Sequence, residues 1–432
     1  MAARAVFARA RLLLCAVLVV ACIGVLASCS SEQQAVEERG TITTSDAVIL
    51  AQSESQGDGF VRMYPQQSLA CQLVGSRYAG EASEGIENRF AEELSSGSNI
   101  TLSIDSVVQQ TAEQALEGLT GTVVVMDPET GALLAVASSP VCDLNKATEE
   151  NADELNNRAT ELHIPGSTFK TITLAAALEG DVAAIGSVYD APSSIAMADG
   201  SVSNYGMLQY DPMPLSEAYA KSVNTVFAQL SLQLGTDAVE AMAKEFGFGQ
   251  QVAQDIDCDV SSILNKDDMT VLGDAWCGVG QALIDKGETT GPVATVLQMA
   301  SVAAVFANGG KVVSPYAVVS IEDGKGVTMS TDPRVLNEGF ISSEHRGQIV
   351  DAMREAVVSG TAVNAAVSGV DVYGKTGTAE TERGEDDGWF CGCASAGGKS
   401  IAVAVMIENA TSPDACSVAS SVIPSALERF SL

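Results

Sequence analysis

Ser167-Thr-Phe-Lys170 sets a hydroxyl and an amine three residues apart at the start of an apolar stretch. Pro165-Gly166 stands just ahead as punctuation, so the pattern predicts a helix over 167–179 with Ser167 in its first turn. On a helix, i,i+3 spacing puts both side chains on one face within reach of each other. The first turn also leaves backbone N–H groups without intrahelical partners, a natural place for an oxyanion to develop. That is the chemistry of a serine nucleophile with a lysine base. A lysine of ordinary pKa is charged and accepts no proton, so burial or a neighbouring cation must first make it neutral. Lys375 is a candidate neighbour. The tetrapeptide by itself carries little weight, because Ser-x-x-Lys arises by chance in many helices.

Other chemistries are thinly supported. The chain has two histidines, His163 and His345. A Ser-His-Asp triad would need one of them beside a serine and an acid. His163 lies four residues before Ser167, outside the expected helix and with no evident acid partner, so a local structural role is expected. No paired Cys-x-x-Cys is present, which argues against zinc, and the metal expectation is none. Asp255-x-Asp257-x-Asp259 opens like a calcium loop but has Val260 at the sixth position and Lys266 at the twelfth. A solvated acidic loop is expected there. With 55 acidic residues, paired-carboxylate chemistry is not eliminated by counting, but no spacing singles out a pair.

The elements that must position Ser167 and Lys170 come next. Gly121–Asp127 and Ala132–Ser138 are β-rich runs joined by Pro128-Glu-Thr-Gly131, a hairpin signal. Helical stretches over 215–220 and 225–234 flank a break at Lys221–Asn224. Val293–Ala307 reads as an apolar helix stopped by Asn308-Gly-Gly310. Strands are expected over 372–379, 389–394 and 400–408, with a closing helix over 417–430. Hairpin-linked strands with helices on either side along the chain suggest an antiparallel sheet covered by helices, an α/β (α+β) fold.

The chain has 432 residues, 46% hydrophobic and 18% charged, which fits a globular protein of two or three domains. The net charge of −32 and the lack of a basic stripe exclude nucleic-acid binding through phosphates. A basic start with Arg4, Arg9 and Arg11 precedes an apolar run from Leu12 to Ala27 and then Leu26-Ala27-Ser28-Cys29. Two readings stay open for residues 1–28. One is a signal peptide cut before a lipid-modified Cys29, and the other is an uncleaved membrane helix. Both place residues 30–432 on the extracytoplasmic face of the cell membrane. Ser95-Ser-Gly-Ser98 reads as a boundary between a small domain, 29–98, and a larger one, 99–432. Seven cysteines follow the leader, an odd number, so at least one stays a thiol. Cys391-Gly-Cys393 puts both sulfurs on one strand face, which argues against a bond between those two. The expected pairs are Cys258 with Cys277, and Cys391 or Cys393 with Cys416.

Ser-x-x-Lys is not alone. Ser222-Val-Asn224 falls at the break between two helices, and Lys375-Thr-Gly-Thr378 falls on a strand. A serine-x-asparagine element and Lys-Thr-Gly follow Ser-x-x-Lys in this order in penicillin-binding proteins and β-lactamases. The chain resembles a class B, monofunctional penicillin-binding protein of the actinobacterial type. Arg39-Gly40-Thr-Ile42 with Asp46 and Ile49-Leu-Ala51, Arg62-x-Tyr64-Pro65 and Gly85-Ile-Glu87 look like that family's N-terminal pedestal. Ile100 to Asp105 looks like the strand opening its transpeptidase domain. Gly280-Gln281, Leu297-Gln-Met-Ala300 and Gly388-Trp-Phe390 are similar to stretches around the second and third motifs. The likeness runs over about residues 36 to 430.

The resemblance implies a penicillin-binding/β-lactamase-like transpeptidase domain on a small pedestal, with no cofactor. It implies that Ser167 attacks the penultimate D-Ala carbonyl of a peptidoglycan stem peptide while Lys170 takes its proton. Ser222 would relay a proton to the leaving amine, and Asn224 would hold the acyl-chain amide and Lys170. Lys375 would set the local field. Thr376, Gly377 and Thr378 would line the substrate site, the two threonines gripping its carboxylate. The backbone N–H groups of Ser167 and Thr378 would form the oxyanion hole. β-Lactam antibiotics would acylate Ser167, and a membrane glycosyltransferase with division or elongation proteins would be partners. The sequence also departs from the pattern. Val223 stands where β-lactamases usually have Asp, and no Glu-x-x-Leu-Asn element is evident; both lean away from a lactamase. Ala282 and Val296 replace a usual Gly and Pro, outside the reaction centre. A D,D-carboxypeptidase, a β-lactamase and a non-catalytic β-lactam-binding scaffold remain as alternatives to the transpeptidase.

Overall fold

Residues 121–126 read Gly-Thr-Val-Val-Val-Met, with every position buried. A strand buried on both faces needs a layer on each side, because successive side chains point to opposite faces. The computed structural model, which describes residues 37–78, 85–285, 287–381 and 386–430, supplies both layers. Val123 and Val125 enter one apolar core, and Val124 and Met126 enter the other. Lys399–Ile407 divides in the same way, with Ala402, Ala404 and Met406 on one side and Ile401, Val403, Val405 and Ile407 on the other.

The sheet between the cores has five strands in the order 371–380, 386–396, 399–407, 121–126, 133–139, and every pairing is antiparallel. One face is covered by the helices Ser106–Ala115 and Ser412–Arg429, and the other by Val296–Ala304. Lys170–Glu179 lies deeper in that second layer, packed among Asn224–Leu234, Thr236–Glu245 and Ser343–Val358. Its residues from Lys170 to Leu178 are all buried, as expected for a helix that is apolar on nearly every side. The expected antiparallel sheet covered by helices is therefore the observed one.

A second sheet of six strands runs in the order 326–330, 318–323, 99–102, 42–43, 49–56, 59–63. It draws strands from both sides of residue 98. Arg39, Gly40, Arg62 and Glu87 converge inside it. Arg62 Nε lies 2.6 Å from Glu87 Oε1, Arg39 Nη2 lies 2.9 Å from Glu87 Oε2, and Arg62 Nη1 donates to Gly40 O at 2.7 Å.

Several expectations need correcting. The apolar helix begins at Val296, since Val293 belongs to a strand, Glu288–Val293, and Thr295 caps the helix by accepting from Gln298 N. The break between helices spans Lys221–Val223, and Asn224 already opens the next helix. The closing helix starts earlier, at Ser412, behind a capping box of Thr411 and Asp414. All seven described cysteines are thiols. Cys391 and Cys393 donate to the carbonyls of Met299 and Ala303 on one face of the sheet, while Cys416 sits in the core of the opposite face. The sheet itself separates them, so neither pairs with Cys416. Cys258 lies against the Gln251 side-chain amide, and Cys277 is buried in the helix Val271–Val279. The leader, Arg4 to Ala27, and Cys29 lie outside the described residues. Among the described residues no helix is long and apolar enough to cross a membrane.

Candidate active site

Ser167 sits in a tight turn, Gly166–Phe169, that runs directly into the helix beginning at Lys170. The turn depends on glycine. Gly166 has φ +53, and a Cβ there would lie 2.6 Å from Thr378 O and 3.1 Å from Thr378 N. A Cβ on Gly377 would lie 2.8 Å from Pro165 O, and one on Gly280 would lie 1.9 Å from Gly166 O. Three glycines thus let three backbones meet around the serine.

Lys375 to Thr378 lie on the edge strand Asp371–Glu380, whose inner neighbour pairs Lys375 with Cys391 and Thr378 with Gly388. The outer edge faces the serine turn. Gln281 grips that edge: its Nε2 donates to Glu380 O at 2.8 Å, and Glu380 N donates to its Oε1 at 3.1 Å. Backbone groups two residues apart on a strand point the same way, so the N–H and C=O of Thr378 face the same side as those of Glu380. The short distances from Gly166 to Thr378 agree. An edge of this kind can take an extended peptide as an added strand.

Lys170 is fully buried. Its Nζ lies 2.9 Å from Ser222 O, 3.2 Å from Ser222 Oγ and 2.7 Å from Asn224 Oδ1. All of these partners are neutral. Burial pushes its pKa well below the usual lysine range, and the nearby Lys375 charge pushes it further the same way. A neutral amine has two N–H groups and one lone pair. The two carbonyl-type oxygens can only accept, so the contact with Ser222 Oγ is the one able to reverse, with the hydroxyl donating. Among the described residues Ser167 Oγ carries no hydrogen bond, and catalytic hydrogen bonds commonly tighten only once substrate is bound.

Ser222 has φ +58, a conformation that costs a non-glycine residue about 1–2 kcal/mol. The strain sits in the break Lys221–Val223, where Ser222 turns towards Lys170. Asn224 is fixed at both ends, with Oδ1 on Lys170 and Nδ2 donating to Ser203 O at 2.9 Å. Lys375 is also fully buried, and burial lowers its pKa to about 7. Its Nζ donates to Thr376 O at 3.0 Å and stands 5.7 Å from the centre of the Tyr219 ring.

Ser167, Ser222, Asn224, Thr376, Gly377 and Thr378 line one cleft of about 620 Å³. The structure therefore brings every expected polar residue to one place, with Lys170 and Lys375 beneath the floor. It also adds residues that no motif indicated. Thr361 meets Thr376 with 2.5 Å between their hydroxyl oxygens. Tyr219 OH lies 2.8 Å from Thr171 Oγ1. Tyr205, Met207 and Leu208 form an exposed apolar lip on the cleft. The Pro165-to-Lys170 punctuation could not reveal Thr361, which lies about 190 residues away. The other candidates are engaged elsewhere. His163 Nε2 lies 3.0 Å from Arg158 O, and its ring meets Trp389 edge-on at 6.2 Å. His345 pairs with Glu179 at 2.8 Å. Asp255 accepts from Ala317 N and Val318 N, and Asp257 pairs with Arg89.

The family described as "Penicillin binding protein transpeptidase domain" matches residues 121–428. A peptidoglycan D,D-transpeptidase PbpA of Mycolicibacterium smegmatis is 30% identical over 86% of this chain and 84% of its own length. The D,D-transpeptidase domain of a peptidoglycan glycosyltransferase from Eggerthella lenta superposes with a TM-score of 0.86 at 37% identity, covering 91% of this chain and 99% of its own. Penicillin-binding protein A from M. tuberculosis, solved as its imipenem acyl-enzyme complex, superposes with a TM-score of 0.80 at 27% identity, covering 90% of this chain and 99% of its own.

Proposed function

The chain belongs to the penicillin-binding protein transpeptidase family and is a serine-type D,D-transpeptidase, and from that premise we propose that Ser167 carries the acyl group and Lys170 is its base. The observation that carries this reading is Lys170: buried, held by neutral oxygens and next to a second buried lysine, an environment that pushes its pKa well below the usual lysine range and favours the neutral amine. A neutral amine can take the proton of Ser167 as Oγ attacks the penultimate D-Ala carbonyl of a stem peptide. The N–H groups of Ser167 and Thr378 receive the oxyanion, supported by the approach of Thr378 N to Gly166. Ser222 Oγ, 3.2 Å from Lys170 Nζ, passes the proton to the departing D-Ala nitrogen. Asn224 holds Lys170 and the acyl-chain amide. Thr376 and Thr378 bind the terminal carboxylate, with Thr361 orienting Thr376 and Lys375 supplying the field. An amine of a neighbouring stem then takes the acyl group, which cross-links the glycan strands.

β-Lactams acylate the same serine in this reading, in line with the penicillin G and imipenem acyl-enzymes of the M. tuberculosis relative. The family works at the cell envelope. The finer assignment, with residues 1–28 as leader or anchor, Cys29 as lipid site, 29–98 as pedestal and the cleft outside the cytoplasm, rests on the Arg-rich apolar start of the sequence. A membrane glycosyltransferase and division or elongation proteins are the partners proposed with it.

The test supplies a D-Ala-D-Ala-terminated stem peptide with an amine acceptor. The expected result is free D-Ala together with a new amide, both lost in Ser167→Ala. Release of D-Ala with only the hydrolysed peptide would make the chain a carboxypeptidase.

A further inference from the structure

Two cysteines meet where the N-terminal sheet region joins the catalytic domain. Cys71 opens the short helix Cys71–Val74, and Cys142 lies just past the edge strand Leu133–Ser139. Cys142 N donates to Cys71 Sγ at 3.3 Å, and both residues are buried. The backbones around them are already locked together. Gln72 Nε2 donates to Pro140 O at 2.8 Å, and Leu144 N donates to Gln67 O at 3.0 Å. Tyr64 N donates to Asn145 Oδ1 at 3.0 Å, and Asn145 Nδ2 donates to Tyr64 O at 2.9 Å.

A disulfide needs Cβ atoms about 3.5–4.5 Å apart and backbones already held at that spacing. Here the sulfur of one cysteine touches the backbone of the other, and hydrogen bonds brace the pair on both sides. The Cys142 side chain now meets Glu154, so forming the bond turns it towards Cys71. The two residues are widely separated in sequence, so a bond would close a long loop, where cross-linking constrains the unfolded chain most.

We propose that Cys71 and Cys142 are a disulfide-forming pair that staples the pedestal to the transpeptidase domain once the chain reaches an oxidising compartment. The compartment rests on the extracytoplasmic reading above. The oxidant is a protein or small-molecule disulfide. A thiolate of the pair attacks it and breaks its S–S bond, the second thiolate displaces the remaining sulfur from the mixed disulfide, one S–S bond forms within the pair, and two electrons and two protons pass to the oxidant, which leaves as two thiols. Burial pushes the Cys71 thiol up to about 12 and the Cys142 thiol up to about 11. Thiolate is therefore scarce in the folded chain, and the bond forms during folding. The staple needs no other cysteine. Cys391 and Cys393 donate to helix carbonyls, and Cys277 and Cys416 are buried in separate cores.

The test has two arms. In the first, the full chain is isolated from membranes, its thiols are trapped with acid and then N-ethylmaleimide, and its peptides are mapped by mass. The expected result is a cross-linked peptide containing Cys71 and Cys142, with the other described cysteines alkylated. In the second, the purified full chain is unfolded, reduced and refolded in a glutathione redox buffer. The same linkage should form, and the oxidised protein should melt on the order of 5 °C above the reduced one. Cys71→Ala and Cys142→Ala should each abolish that difference between redox states, a readout that loss of packing alone would not move. Two alkylated thiols after refolding would overturn the proposal, as would different pairing. Thiols from cells combined with linkage after refolding would overturn the disulfide as a feature of the native protein. Acylation of Ser167 by labelled penicillin in that same sample would leave the transpeptidase reading standing.

Discussion

Gly280→Ala should cripple acylation although residue 280 takes no part in the chemistry. Gly280 ends the helix Val271–Val279 with φ +96. Its added Cβ would lie 1.9 Å from Gly166 O and 2.7 Å from Phe169 Cβ, whereas real Cβ contacts essentially never fall below 3.0 Å. One backbone must therefore retreat by about 1 Å, and the strand edge with its partners backs the serine turn on the far side. A displacement of that size at a reacting centre costs on the order of 100-fold in rate. Left-handed strain and overpacking together should lower stability by about 2–4 kcal/mol. Gly235→Ala is the control. It has φ +75 and caps the helix Asn224–Leu234, but its Cβ would meet nothing within 4 Å. It should lose about 1–3 kcal/mol and acylate normally. The assay is the second-order rate of labelling by a fluorescent penicillin beside urea unfolding. A Gly280→Ala protein that acylates at the wild-type rate would refute the claim that this contact sets the position of Ser167.

Three other perturbations probe the electrostatics and the support around the site. Lys375→Met removes the cation that helps keep Lys170 neutral, so the acid limb of the acylation pH profile should move to higher pH, with the largest loss below about pH 7, where Lys375 is charged; an unmoved limb would exclude that coupling. Thr361→Val deletes one hydrogen bond to Thr376 and should lower kcat/KM about fivefold, mainly through KM, corresponding to about 1 kcal/mol. Glu113 accepts from Ala70 N at 2.7 Å, and burial raises its carboxyl from 4.5 to about 7. A raised pKa means that the fold holds the proton more tightly than the unfolded chain does. Its contribution is therefore present below about pH 4.5 and lost as pH rises through about 7, at most about 3 kcal/mol. Glu113→Gln should flatten that decline in a series of denaturant melts, and an unchanged slope would contradict the assignment.

Much of the site was legible because its chemistry is written in short local motifs. Ser167 and Lys170 share one turn, Ser222 and Asn224 mark a helix break, and Lys375 to Thr378 follow strand alternation. The hairpin of 121–139 and the late strands were visible for the same reason. What stayed hidden depends on long-range approach. Thr361 touches the Lys375 strand only after folding, and no periodicity signals a partner across a cleft. The cysteine pairs failed on the same ground. Strand period put Cys391 and Cys393 on one face, but which face Cys416 would take depended on how a helix packs. The hairpin of 318–330 joins a sheet whose other strands come more than 200 residues earlier, a connection invisible to local pattern. The sequence pattern did carry Gly280, but only as part of a likeness. Its reason, a 1.9 Å approach to Gly166, belongs to the structure.

The most direct test of the central claim is peptide mapping of the chain after reaction with labelled penicillin. One covalent label per chain should appear on the peptide containing Ser167, persist for long periods, and vanish in Ser167→Ala. Equal labelling of the wild type and Ser167→Ala, or a label on any other residue, would contradict the account.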